Sequence, residues 1–338
     1  MTIKITKPSL NLREELSRLD KPSGVAGEAM LRAETPQEQF NLIGAGRKNL
    51  VINGGFDVWQ RGTSWASVTS GYYADRWNVV RSHTVGVDRV SCDLDGFKYA
   101  HRTTNVTAGV PTLYHNVENT GQFYEGQTLT LSFWLRASEV QRLRSGRTYD
   151  GSTFVTNYHS FYTSTEWKYY SFTITPTSDW AGTETFFGVQ VFASDGVDMS
   201  AGSWIEVTGV QLELGKVATP FEHRSYGEEL ALCQRYFYKH AGNGNNTQVV
   251  GSGFRATTNI VDAKFTTPVP LRASPSITVS ASTTFSVVST AGTHTVSSIN
   301  SIRNIEGHII TVRLNVTDVG AGPCAIFGSL DLEYNAEL

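Results

Sequence analysis

The chain has 338 residues, room for two or three domains at roughly 100–200 residues each, and 17% of them are charged against a usual share of about 25%. A net charge of −3 and a pI near 6.2 give no basic field, which argues against a nucleic-acid partner or an anionic membrane surface. No stretch of about 18 apolar residues occurs, so no membrane insertion is expected, and MTIKITKPSL lacks the apolar centre of a secretory signal.

The first 48 residues stand apart and hold one aromatic, Phe40. Leu12, Leu16 and Leu19 fall at i, i+4 and i+7 behind Pro8-Ser9, which predicts a short helix with one apolar stripe, ended by Lys21-Pro22-Ser23-Gly24. Thr35-Pro36-Gln37-Glu38 is a capping box with proline at the first helical position, and Gly44-Ala45-Gly46 closes that second helix. Helices shorter than about 12–15 residues are marginal alone in water. The segment is therefore expected to pack on copies of itself or on another protein, with Leu12, Leu16, Leu19 and Phe40 as assembly residues.

From Asn49 the composition changes, and all seven tryptophans lie between Trp59 and Trp204. Leu50, Val51 and Ile52 read as a short strand broken at Asn53-Gly54-Gly55, where glycine supplies unusual backbone angles. Period-two alternation recurs at Leu129, Leu131, Phe133, Leu135; at Lys168, Tyr170, Phe172, Ile174; at Phe187, Val189, Val191; and at Val210, Leu212, Leu214. Asp95-Gly96, Glu125-Gly126, Asp150-Gly151 and Asp195-Gly196 mark turns. Strand after strand without an intervening amphipathic helix predicts a jelly-roll β-sandwich over 49–224. Ser225-Tyr226-Gly227-Glu228 opens a connecting helix over 225–238, with Leu230, Cys233 and Phe237 at helical spacing. Residues 239–338 contain no tryptophan, and Ser276–Val279, Ile309–Val316 and Phe327–Tyr334 read as strands of a second, smaller β-sandwich. The fold class expected is all-β, with a short helical N-terminal arm.

Little in the sequence points to catalysis. Cys92, Cys233 and Cys324 are odd in number and far apart, as reduced cysteines would be. The histidines never approach HxH or HExxH spacing, and no GxSxG elbow occurs. Asp93 with Asp95, and Asp195 with Asp198, are spaced like turn residues, and Asp75-Arg76 reads as a structural ion pair or turn clamp. A non-enzymatic protein is expected. For binding, Trp134 and Arg136 point away from the apolar row onto the face of Thr130 and Ser132, and Tyr114 and Asn116 precede them on what reads as a neighbouring strand. An aromatic platform beside hydrogen-bonding groups is what sugar recognition uses, so these four are the sugar-binding candidates, with Tyr158 and Trp167 behind them. The competing reading buries Trp134 against a loop or a neighbouring subunit.

Two blocks carry a family resemblance. The first is Asn49-Leu50-Val51-Ile52-Asn53-Gly54-Gly55-Phe56-Asp57-Val58-Trp59-Gln60-Arg61-Gly62, with Tyr73-Ala74-Asp75-Arg76-Trp77 behind it. The second runs from Val210 to Glu222 (VQLELGKVATPFE) and into Glu229–Tyr236 (ELALCQRY). With these, the chain resembles bacteriophage tail-fibre and virion structural proteins over roughly residues 49–238, and the bracketed region looks like the jelly roll of carbohydrate-binding modules. The resemblance implies a homotrimeric tail fibre in the virion, made in the host cytoplasm. Residues 1–48 would dock on phage tail proteins, and the distal β-domains would face host cell-surface polysaccharide or lipopolysaccharide. It also implies that a structural calcium is the one ion to look for, with Asp57 and Glu206 or Glu213 as ligands. No other cofactor is expected. An adaptor or decoration protein of tail or capsid, and a polysaccharide-degrading tail enzyme, are the alternatives.

Overall fold

The computed structural model describes residues 48–118, 128–146, 148–149, 158–175, 186–240, 249–279, 285–289, 292–306, 308–317, 323–328 and 332–337. The assembly residues Leu12, Leu16, Leu19 and Phe40, and the turns at Glu125-Gly126 and Asp150-Gly151, lie outside them. Among the described residues the chain is nearly all β, as the alternating patterns require, with one α-helix.

Two sheets build the first half. One runs β1 (Ser64–Trp65), β4 (Val85–Ser91), β5 (Tyr99–Asn105), β13 (Trp204–Leu214), β7 (Leu129–Ala137), β11 (Lys168–Ile174). The other runs β10 (His159–Tyr162), β8 (Arg142–Ser145), β12 (Phe186–Ser194), β6 (Thr112–Glu118), β3 (Trp77–Val80), β2 (Gly71–Tyr72), with β9 (Thr148–Tyr149) paired to β12. Leu129, Leu131, Phe133 and Leu135 of β7 all point into the core, where Val189 and Val191 of the opposite sheet meet them. Their alternation buries one face and leaves the other for Trp134 and Arg136.

Leu50–Ile52 form no strand, although Leu50 N–H donates to Leu212 O and Val51 and Ile52 are buried. The turn behind them uses its residues differently from the expectation. Asn53 carries the left-handed backbone (φ 61°), and its side chain ties the turn through hydrogen bonds to the main chain of Val58 and Asp75. Gly54 is required by contact, because a Cβ there would lie 2.1 Å from Val210 O.

The helix of the described residues, α1 (Tyr226–Gln234), starts at Ser225, whose Oγ accepts from Glu228 N–H. It is shorter than expected: Phe237 belongs to β14 (Phe237–His240), which pairs with β22 (Leu332–Asn335) and through it with β17 (Ser276–Val279). Between β14 and β22 the chain closes a barrel in the order β15 (Val249–Thr257), β16 (Ile260–Thr266), β20 (Ile309–Val316), β19 (Gly292–Glu306), β18 (Phe285–Ser289), β21 (Pro323–Gly328). The region is all-β as expected, and its finer form is a closed barrel beside a three-stranded sheet. Closure pairs strands that would otherwise be sheet edges, here β21 with both β15 and β18. The final expected strand is two, β21 and β22. The barrel interior is filled by Val261, Ala263, Phe265, Ile310, Val312, Leu314 and Ile326.

Candidate functional site

The two sequence blocks that carry the family resemblance fold onto each other. Asn49 bonds both ends of the Val210–Leu212 segment, donating to Val210 O (3.0 Å) and accepting from Leu212 N–H (3.1 Å). Asn53 N–H donates to Glu229, and Arg224 reaches the carbonyls of Asn49 and Val51. Asp75 accepts from Gln60 N–H (2.6 Å) and Gln60 Nε2 (2.8 Å), with Arg61 at 3.7 Å. Arg76 is fully buried, sits over the Tyr236 ring at 3.5 Å and pairs with Glu337 near the C-terminal end. Asp75 and Arg76 are thus clamps, each with other partners. Burial pushes the Asp75 carboxyl up to about 6, against the pull of Arg61 and the Gln60 donors. The side chains of Asn49, Asn53, Asp75, Arg76 and Arg224 thus bond within and across this seam and hold its two blocks together.

The outer face of the first sheet is different. Across β5, β13 and β7, Arg102, Glu206 and Arg136 stand side by side, with Arg102 opposite Glu206 and Glu206 opposite Arg136. The buried Glu206 carboxylate takes Arg102 on one oxygen and Arg136 Nε on the other at 2.7 Å. Trp204 lies against both guanidiniums, and Trp167 against Arg136 at 4.7 Å. Asp93 accepts from Trp167 Nε1 (2.6 Å) and from Arg136 (3.1 Å); these two bonds, Trp167 first, hold its carboxyl below the usual range.

Two residues along β7, Trp134 meets Tyr169 of β11, ring centroids 5.3 Å apart. Next to them β13 bulges between Thr208 and Gln211, and Gly209 takes φ +61° where a Cβ would strike the Phe97 ring at 2.6 Å. The bulge and residues 218–221 enclose a cleft of about 450 Å³ lined by Ser132, Trp134, Tyr169, Gly209, Ala218, Thr219, Pro220 and Phe221. Thr219 is held in place by Glu213, which accepts from its N–H (2.8 Å) and its hydroxyl (2.6 Å). The cleft therefore has an aromatic wall and hydroxyls, and among the described residues no carboxylate, histidine or cysteine lines it.

Trp134 and Arg136 share this face. Tyr114 and Asn116 do not: β6, expected as a neighbouring strand of β7, belongs to the opposite sheet, since order along the chain does not fix which strands share a sheet. There Asn116 Nδ2 donates to Tyr72 Oη at 2.9 Å. Tyr158, 44% exposed, also lies on that side, next to Arg144. The calcium candidates do not build a site. Both oxygens of Glu206 are taken by arginines and those of Glu213 by Thr219 and Gln211, while Asp57 sits half-buried near Lys98, His223 and Arg89, its carboxyl raised by burial. Among the described residues no group of three His, Cys, Asp or Glu side chains is placed to hold a metal ion. The three cysteines are free. Tyr169, Trp204 and Phe221 were missed by sequence reasoning; the inward alternation of Tyr170, Phe172 and Ile174 already implied an outward Tyr169.

No family model matches the chain, and no curated protein matches it. Several solved structures share parts of its form. TmCBM61 in complex with β-1,4-galactotriose is 16% identical, with a TM-score of 0.34, over 50% of this chain and all of that one. A cyclase from Fischerella sp. TAU is 10% identical, TM-score 0.35, over 51% of this chain and 99% of its own. The enzymatically active domain of tailspike protein 4 from bacteriophage CBA120 is 18% identical, TM-score 0.31, over 49% of this chain and 21% of its own. A binding module, a cyclase and a phage enzyme domain thus bear a similar distant likeness, and function has to be argued from the faces described above.

Proposed function

We propose that this chain is a non-enzymatic structural protein of a tailed-phage virion, a homotrimeric tail fibre that binds host surface glycan through the first sheet of its jelly roll. The observation that carries the glycan reading is the cleft between Trp134, Tyr169 and Phe221. Ring faces stack on the apolar side of a pyranose, and Ser132 and Thr219 lie in the same lining. A lining without carboxylate or imidazole favours holding a sugar over hydrolysing it, since glycoside hydrolysis needs two placed carboxyl groups. The virion reading rests on the two sequence blocks and on their joining into one seam, which explains why both must occur in the same chain. Residues 1–48 serve as the tail-docking arm in this reading, and three copies on one axis multiply weak sugar contacts.

The test is binding of the full-length protein to purified bacterial polysaccharide and lipopolysaccharide. Trp134→Ala is expected to weaken it roughly tenfold or more, about 1.4 kcal/mol, with the midpoint of unfolding little changed because the side chain is on the outer face. Unaltered binding by that variant would remove the cleft from the proposal. Release of reducing ends from the glycan would reverse the non-enzymatic reading. Mass measurement of the intact assembly tests the trimer, and attachment of protein lacking residues 1–48 to tails would refute the docking role.

A further inference from the structure

The barrel carries a cleft of its own at one rim. Val261, Leu314 and Val316 fill the interior, so Ile260 and Asn315, which alternate with them and stand opposite each other on β16 and β20, face outward. Thr257 of β15 stands opposite Ile260. The turn between those two is pinned to the end of β20 by Val316 N–H, which donates to Asn259 O (3.0 Å). Between this turn, β20 and Ser297 of β19 lies a cleft of about 690 Å³, inside the range of roughly 300–1,000 Å³ that small-ligand sites occupy. Thr257, Asn259, Ser297 and Thr317 of its lining are exposed, so their polar groups are open to a ligand. Among the described residues no hydrogen bond engages the side chains of Thr257, Asn259 or Thr317. Asn315 is held in place: its Oδ1 accepts from Asn300 (3.2 Å) and its Nδ2 donates to Ser298 (2.8 Å), which leaves one amide proton and one lone pair for another partner.

The lining restricts what can fill this space. It brings three hydroxyls, two carboxamides and the apolar Ile260, and among the described residues no ionisable side chain lines it. An anion would find no positive charge and would face two amide oxygens. A cation would find no carboxylate, and an apolar molecule would strip water from the polar groups without replacing their bonds. A neutral polyhydroxylated molecule answers hydroxyls and amides alike, because each of its hydroxyls donates and accepts. One row along the same outer wall stands Phe254, opposite Asp262, whose charge is answered by Arg313. Phe254 is 54% exposed, more than any other large apolar side chain of the barrel's described residues. A ring face beside hydroxyls and amides suits the apolar and polar sides of a pyranose. We infer that this cleft, with Phe254 at its side, is a saccharide site on the barrel, for a neutral sugar and separate from the Trp134 cleft. It does not depend on whether that cleft binds.

The experiment follows the side-chain amide resonances of Asn259 and Asn315 in the full-length protein and its Trp134→Ala, Asn259→Ala and Phe254→Ala variants. Glucose, galactose and N-acetylglucosamine are the neutral probes and galacturonate the acidic one, each added to about 100 mM, well above the millimolar Kd of a weak site. At least one neutral sugar should shift both amides, equally in wild type and Trp134→Ala, and should bind more tightly than galacturonate. Followed through Asn315, Asn259→Ala and Phe254→Ala should each weaken that binding roughly fivefold or more. Their melting temperatures should stay level, because both side chains are exposed and Asn259 holds nothing else with its amide. Four results would overturn the inference. The first is no shift of either amide with any neutral sugar, and the second is tighter binding of galacturonate than of galactose. The third is loss of the shifts in Trp134→Ala, which would make them an echo of binding on the jelly roll. The last is unchanged binding in both Asn259→Ala and Phe254→Ala, which would put the bound sugar elsewhere.

Discussion

The jelly roll and the barrel bury their side chains by different means. Beside its aliphatic and aromatic core the jelly roll encloses His101, His115, Asp75, Arg76 and Glu206, all at 1% exposure or less. The barrel core is Val, Ile, Leu, Ala and Phe with Cys324, and Thr267 is the buried polar residue of its described part. The difference separates two kinds of stability. A core of aliphatic side chains is indifferent to pH, whereas buried ionisable groups make folding a function of protonation. In the jelly roll, buried carboxylates hold the polar side chains of the outer face in place, as Glu206 holds Arg136 and Glu213 holds Thr219.

The sharpest way to break this comparison is acid. His101 lies between Phe56 and Trp59 with neither ring nitrogen partnered among the described residues, and burial pushes its pKa down to about 3 from an unfolded value of 6.5. The unfolded chain binds the proton first, so this stability is intact above pH 6.5 and is lost as pH falls toward 3. The span corresponds to about 5 kcal/mol at its end. His115, also forced neutral by burial and by the Arg76 charge, adds in the same direction. Asp75 partly offsets them: its folded pKa of about 6 is raised, so the folded state gains protons, and roughly 3 kcal/mol of stability, as pH falls from 6 toward 3.8. Tryptophan fluorescence reports the jelly roll alone, since all seven tryptophans lie between Trp59 and Trp204. Its unfolding midpoint should fall with acidification while amide exchange in β16 and β20 stays protected, and His101→Phe should restore most of the loss. Equal acid sensitivity in the barrel strands would end the distinction.

Next in size is the tie between the two regions. Arg76 is wholly buried, and its charge is answered by Glu337, 4% exposed, just beyond β22. Burial, the largest single cause, lowers the Arg76 pKa; Glu337 together with Tyr236 and Tyr72 outweighs it, and the net shift is upward. Glu337→Ala leaves that guanidinium buried without its counter-charge, a loss of about 3–5 kcal/mol. Glu337→Gln, which still accepts a hydrogen bond, should lose less. Denaturant melts followed by fluorescence check both, and a Glu337→Ala melt matching wild type would show that the tail does not carry the seam.

Much of this was legible in the sequence, and what was not has a physical reason. Period-two alternation placed Leu129–Leu135 in the core and Trp134 and Arg136 outside, because side-chain direction along a strand is a local property. Which strands share a sheet is not local, and so Tyr114 and Asn116 were grouped with a face that lies on the other side of the sandwich. Barrel closure was hidden for the same reason: nothing within Pro323–Gly328 says that it pairs with both β15 and β18. Glu206 read as a ligand because the sequence does not show that Arg102, 104 positions earlier, stands opposite it. The two resemblance blocks were visible as motifs, and only the fold shows that they are halves of one seam.

The smallest expected effect lies on the barrel. Arg313 donates to Asp262 through Nε (2.8 Å) and Nη2 (2.9 Å), a two-pronged pair between β20 and β16 that resembles Arg136 with Glu206 in its chemistry. The hydrogen bonds to Asp262 raise the Arg313 pKa most, burial opposes them, and the Asp262 charge adds to the rise. Its surroundings are different. The core neighbours Val312 and Leu314 face the barrel interior, so Arg313 faces outward. Its partner Asp262 is 14% exposed against 1% for Glu206, which lets water take either partner if the other is lost. Asp262→Asn should therefore leave the barrel midpoint almost unmoved, and added salt should not separate variant from wild type. Glu206→Gln in the jelly roll removes the buried carboxylate from between two guanidiniums and should lower the fluorescence midpoint clearly. A loss for Asp262→Asn as large as that for Glu206→Gln would mean that the barrel, too, depends on charge it cannot release to solvent.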